Sequence, residues 1–194
     1  MESVGFKEWA VVCEALGQGR QSIILRKGGI AEGRDGFSFK HKDFFLFPTW
    51  FHEQPQKVRE FESRLPEQNA AMIQIRYAGP VELSRTIKSW DVAEALAPLH
   101  ILQPDVVRER FDYDEAPGVH VAYVRVSRLE PQWSFPNEKN YGGCRSWVPL
   151  PELPNNTRLE PVLTDAAHNR RLDEFVRIVD SDKASGMPSP QSSP

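Results

Sequence analysis

The sequence predicts an α+β fold: a mixed, mainly antiparallel sheet or partly open barrel with short helices packed around it. Helical and strand patterns are interspersed along the chain, yet few strand–helix–strand stretches have the length of a parallel crossover. Apolar residues make up 40% of the 194 residues, enough for one well-buried core. A single globular domain over 1–181 is therefore expected. The last stretch, 182–194, is rich in Ser, Pro and Gly and buries too little apolar surface to order itself, so a disordered C-terminal tail is expected there.

From Phe6 to Leu16 the apolar residues Phe6, Trp9, Cys13 and Leu16 recur at three and four, the period of one buried helical face. Trp9, Val11 and Cys13 also alternate as a strand would. The helix is preferred because it places Lys7, Glu8 and Glu14 together on the wet side. Gly17 and Gly19 supply the stop. Ser22–Arg26 is a buried strand, and 31–42 is a polar loop in which Phe37 and Phe39 alternate with polar neighbours. Phe44–Phe47 is a second buried strand closed by Pro48. Pro55 then opens a helix through Val58, Phe61 and Leu65 that Pro66 ends.

Met72–Tyr77 alternates as a half-exposed strand, Gly79 and Pro80 turn it, and Val81–Ile87 is its antiparallel partner. Short helices follow, one capped by Ser89 or Asp91 and running to Leu96, the other from Pro104 to about Phe111. Val119–Val126 is the longest β-branched run and the expected central strand. Glu130–Pro136 is extended, 137–145 is turn-rich, and the prolines from Pro149 to Pro161 mark a surface traverse. A last helix buries Leu172, Phe175, Val176 and Val179.

Composition narrows the function. A net charge of −3 and a pI near 6.0 give no global basic field, so any nucleic-acid contact is local. The longest apolar runs fall far short of the roughly 20 residues that span a bilayer, and the start lacks a basic segment followed by an apolar one. A cytoplasmic protein with no membrane partner is expected. Cys13 and Cys144 have no Cys-x-x-Cys spacing, which argues against a disulfide framework and a structural zinc site. The histidines are scattered without a ligand-like pair, and Asp112 with Asp114 lacks the rest of a calcium loop, so no metal or other cofactor is expected.

Three segments combine reactive groups with glycine and aromatic residues. Arg26, Lys27, Gly28 and Gly29 end a buried strand in two cations and a bare backbone, which suits phosphate or carboxylate oxygens and equally a basic hairpin turn. It is not a P-loop. Trp50 and His52 follow the second strand, offering a stacking wall, a general base, or a packed aromatic corner. In Tyr141, Gly142, Gly143, Cys144, Arg145, Ser146 and Trp147, the thiol can act as a nucleophile with His52 or His100 as base, while Arg145 and Ser146 fit anion binding at least as well.

The stretches Lys7–Val12, Leu25–Ile30, Phe45–Thr49 with His52, and Tyr141–Trp147 resemble an uncharacterised bacterial family, domain of unknown function 1802, over most of 6–150. That resemblance implies no activity, and it implies that the three segments belong to one recurring unit. Gly19 and Arg26 also fall at the spacing of the Gly-x-Lys-x-x-Glu-x-Arg motif of PUA-like barrels of the ASCH type, whose motif is associated with RNA-related ligands. Gln21 and Ile24 stand where that motif has Lys and Glu.

The leading expectation is a domain that binds an anionic, nucleotide-containing ligand, either RNA or a modified base. Arg26, Lys27, Lys57 and Arg145 would meet the anion, and Trp50, Tyr141 and Trp147 would stack. Single-stranded nucleic acid or a nucleotide is the expected partner. The rivals are a Cys144 hydrolase or transferase and a non-catalytic protein-interaction module.

Overall fold

The computed structural model describes residues 2–27, 38–51, 54–59, 65 and 67–184. Strand β1 (Val4–Trp9) runs straight into helix α1 (Ala10–Gly17), and β2 (Ile23–Arg26) and β3 (Asp43–Thr49) follow. Next come β4 (Met72–Ile87), α2 (Trp90–Ala95), α3 (Pro104–Phe111), β5 (Val119–Val124), β6 (Ser127–Pro136), β7 (Trp147–Pro149), β8 (Arg158–Pro161) and α4 (Asp165–Ala184). The eight strands form one open sheet in the order β2-β5-β4-β3-β1-β7, with β6 branching from β4 and β8 from β6. Only the β1–β3 pair is parallel. The mixed, mainly antiparallel α+β sheet is thus as the sequence predicts. No helix among the described residues is long and apolar enough to cross a membrane.

The single helix expected over Phe6–Leu16 is corrected to a strand followed by a helix. β1 lies between β3 and β7, so ladder bonds on both sides outweigh the local helical period. Consequently Lys7, Glu8 and Glu14, expected in water, are all buried. The expected hairpin at Gly79–Pro80 is likewise one continuous strand. Pro80 pairs with Asp43 at the first residue of β3, where the ladder starts, so its missing N–H leaves little unpaired. The register of β4 with β6 shifts between Ile75 and Tyr77. Ile75 packs in one core and Tyr77 in the other, so β4 changes faces there.

Those two cores explain the run Phe44–Phe47. Phe44 and Leu46 face the larger core with α1 and β5, while Phe45 and Phe47 face a smaller one with Trp133, Phe135 and Tyr141. The helices at Trp90 and Pro104 and the strand at Val119 stand where the sequence places them, although β5 is not the central strand but lies between the end strand β2 and β4. After Pro55 the described residues hold only a 3₁₀ turn, Gln54–Lys57, and Val58 then pairs with Leu102. Phe61 and Pro66 of the expected helix lie outside the described residues. The proline-rich traverse contains β8, which pairs along β6 from Ser127 to Glu130.

Candidate functional site

The middle of β1 and the end of β2 meet the loop that precedes β7. The Lys7 backbone N–H donates to the Ser146 carbonyl at 2.8 Å, and its ammonium donates to the Gly143 carbonyl at 3.0 Å. Arg26, at the end of β2, donates to Ser146 Oγ at 2.7 Å and lies 5.2 Å over the Phe6 ring. Burial, and then the Arg145 guanidinium, pull the Lys7 pKa below its ordinary value against an opposing pull from Cys144. Lys7, Arg26 and Arg145 therefore concentrate positive charge on one glycine-containing loop. Gly143 sits at φ +82° with open space where a Cβ would be, so backbone conformation alone is what favours glycine there.

A buried ionic layer backs this corner. Arg110 of α3 donates to the Leu25 carbonyl at 2.6 Å, and its guanidinium lies 4.6 Å over the Trp9 ring. Burial lowers its pKa, opposed by Glu8 and reinforced by Arg26. Glu8 is 1% exposed. One of its oxygens accepts from the Trp9 backbone N–H at 2.8 Å, while Oε2 has no hydrogen-bond partner among the described residues. Such a carboxylate is tolerable beside cations and costly without them.

A groove passes this corner across the end of β3. Its more enclosed part lies between α1, Pro48, Trp50 and the start of β4, with Glu14, Glu67, Arg76 and Tyr77 lining it. Its open part reaches Lys7, Glu138, Lys139, Tyr141 and Gly142. Pro48, Trp50, Ile73 and Asn137 line both, so the two are continuous. In the closed part Arg76 Nη1 donates to Glu14 Oε1 at 2.9 Å and the Tyr77 hydroxyl to Oε2 at 3.0 Å. Burial, with the Glu14 carboxylate next, pushes the Tyr77 pKa up to about 12, so the phenol remains a donor. Gly17 makes room for it, since a Cβ there would stand 2.0 Å from the Tyr77 ring.

Among the sequence-predicted site residues, Arg26, Gly142, Gly143, Cys144, Arg145 and Ser146 share this corner, and Trp50 lines the groove beside it. Others lie elsewhere. The Lys27 ammonium is 3.7 Å over the Tyr113 ring. The Lys57 carbonyl accepts from the Gln103 N–H at 3.1 Å, beside the Val58–Leu102 bridge. Trp147 is a core residue rather than a stacking platform, packed against Phe6 and Phe44. Tyr141 is also buried, against Phe47 and Phe135, with an edge on the groove. Gly28, Gly29 and His52 lie outside the described residues.

His100 is buried, its Nδ1 accepts from the Leu102 N–H at 3.1 Å, and Arg59 donates to its carbonyl. Burial, then Arg59 and Arg110, hold its pKa down at about 3, so it is a neutral, weak base. Sequence reasoning missed Lys7, Glu14, Arg76, Tyr77 and Asn137. The available signal was the charged pair Lys7–Glu8 enclosed by Phe6 and Trp9, which a two-sided buried strand places inside the fold.

Residues 5–174 match the family model described as "Domain of unknown function (DUF1802)". No curated protein matches the chain. Among solved structures it is similar to a single-substitution mutant of ZmASCH from Zymomonas mobilis, at 10% identity and a TM-score of 0.47, covering 90% of this chain and 99% of that one. The ASCH protein of Zymomonas mobilis without that substitution gives 9% identity and a TM-score of 0.42, covering 88% and 93%.

Proposed function

Because the chain belongs to the DUF1802 family, a domain of unknown function, its activity has to be sought in its own geometry, and we propose that it binds a nucleotide unit of single-stranded nucleic acid or a free nucleotide. The observation that carries this is the continuity of the groove. Its more enclosed end sets the Glu14–Arg76 pair and Glu67 in a largely apolar lining, and its open end carries Lys7 and Lys139, with Arg145 near Lys7, against the one carboxylate of Glu138. A nucleotide has the same polarity, a neutral heterocycle joined to an anion. Trp50, shared by both parts, offers the ring face on which a base stacks.

Tryptophan fluorescence titrated with a short single-stranded RNA and with mononucleotides tests this. Saturable quenching is expected, lost in Trp50→Ala and weakened about tenfold in Arg145→Ala. Few cations take part, so the slope of log affinity on log salt is expected to stay within about −2 to −3. Absence of saturable binding at low salt, or binding indifferent to both substitutions, contradicts the proposal. The Cys144 nucleophile has one supporting feature, an exposed thiol near Lys7 and Arg145. The buried His100, with its ring acceptor already engaged, does not supply the base.

A further inference from the structure

The closed end of the groove presents a hydrogen-bonding pattern that distinguishes bases, and we infer that it is a guanine pocket, an inference that rests on the nucleotide reading above. Glu14 is 5% exposed and lines this end. The bonds from Arg76 and from the Tyr77 hydroxyl fix one carboxylate oxygen each and leave each oxygen a further acceptor site. Arg76 keeps 37% of its side chain exposed, and its guanidinium has donors beyond the one bound to Glu14. Side by side, the pocket offers two acceptors and then a donor.

The complementary base edge carries two adjacent donors followed by an acceptor. Guanine has it: the N2 amino group and N1–H would meet the two Glu14 oxygens, and O6 would accept from Arg76. Adenine sets one amino group beside the N1 lone pair, and cytosine sets one beside N3. Uracil has its single N3–H between two carbonyls. Each of those three would aim a lone pair at a buried carboxylate oxygen, a contact that repels and leaves polar groups unpaired. Trp50 and Met72 line the same end and supply apolar surface for the ring faces. With Glu14 and Glu67 against the one cation Arg76, this end disfavours a phosphate, which is directed to the end where Lys7 and Lys139 outnumber Glu138.

Calorimetric titration of the full chain with the 5′-monophosphates of guanosine, inosine, adenosine, cytidine and uridine tests the inference. Guanosine monophosphate is expected to bind about tenfold or more tightly than the adenosine, cytidine and uridine forms. Inosine monophosphate, which lacks only the N2 amino group, is expected to fall about tenfold below it. Equal affinities for all five, or preference for another base, overturn the guanine pocket and leave the nucleotide groove standing. Binding of none overturns both. Glu14→Gln exchanges one acceptor for a donor and is expected to bring guanosine monophosphate to the level of the adenosine form. The guanosine–inosine comparison needs no variant, so the inference stays exposed to refutation even if that protein does not fold.

Discussion

Gly17 controls the closed end of the groove through a neighbour. A methyl group at this position would stand 2.0–2.5 Å from the Tyr77 ring, so the ring must move and Glu14 then loses the hydroxyl donor that holds Oε2. Gly17→Ala is expected to cost about 3 kcal/mol in denaturant unfolding, and a midpoint equal to that of the unmodified chain would show that Tyr77 does not pack there. His100 gives a second residue-scale expectation. Its folded pKa of about 3 lies below the ordinary 6.5, so the unfolded chain takes up the proton first. The stability this histidine allows is complete above about pH 6.5 and is lost as pH falls toward 3, with a slope of up to about 1.4 kcal/mol per pH unit. Unfolding midpoints at pH 7, 5 and 4 should show a shallower acid limb in His100→Gln. An identical slope in the two proteins would remove His100 from the acid response. Neither of these roles is legible in the sequence, because a glycine near a helix end looks like a stop signal and a lone histidine in an apolar stretch has no visible partner.

At the scale of elements, the sequence is most legible where one element makes its own pattern. Pro104 opens α3 and the β-branched run Val119–Val124 forms β5, since a helix start and a strand buried on both faces write themselves into consecutive residues. It is least legible where distant chain decides. β1 has a helical period but takes its ladder partners from β3 and β7, and the Gly79–Pro80 turn signal is overridden because β3 starts alongside it. Half of the site shares that fate: the Arg26–Ser146 contact joins two segments the sequence singles out, whereas Lys7, Glu14 and Arg76 become site residues only once β1 is a strand and α1 covers β4. The continuity of β4 is directly measurable. The Val81 amide donates to the Lys42 carbonyl at 2.7 Å, so it is expected to resist hydrogen exchange together with the rest of β4. Exchange at a loop-like rate would restore the hairpin in place of the single strand.

For the whole molecule, charge and shape have to be taken together. The chain is acidic on balance, at −3, and Lys7, Arg26 and Arg145 are nonetheless gathered by β1 and the end of β2 on one loop. That gathering concentrates positive charge locally in a chain whose net charge gives no global basic field. In the proposed mode of nucleotide binding the groove sets direction, with the heterocycle toward α1 and β4 and the phosphate toward the loop at Gly142. Amide and indole chemical-shift mapping of the isotope-labelled chain during titration with guanosine 5′-monophosphate tests this orientation most directly. The predicted result is one saturating set of shifts that includes the Trp50 indole, Asn137 and the Gly142 and Gly143 amides, with α4 and β8 unmoved. Shifts confined to α4 and β8, or none at saturating nucleotide, would contradict it.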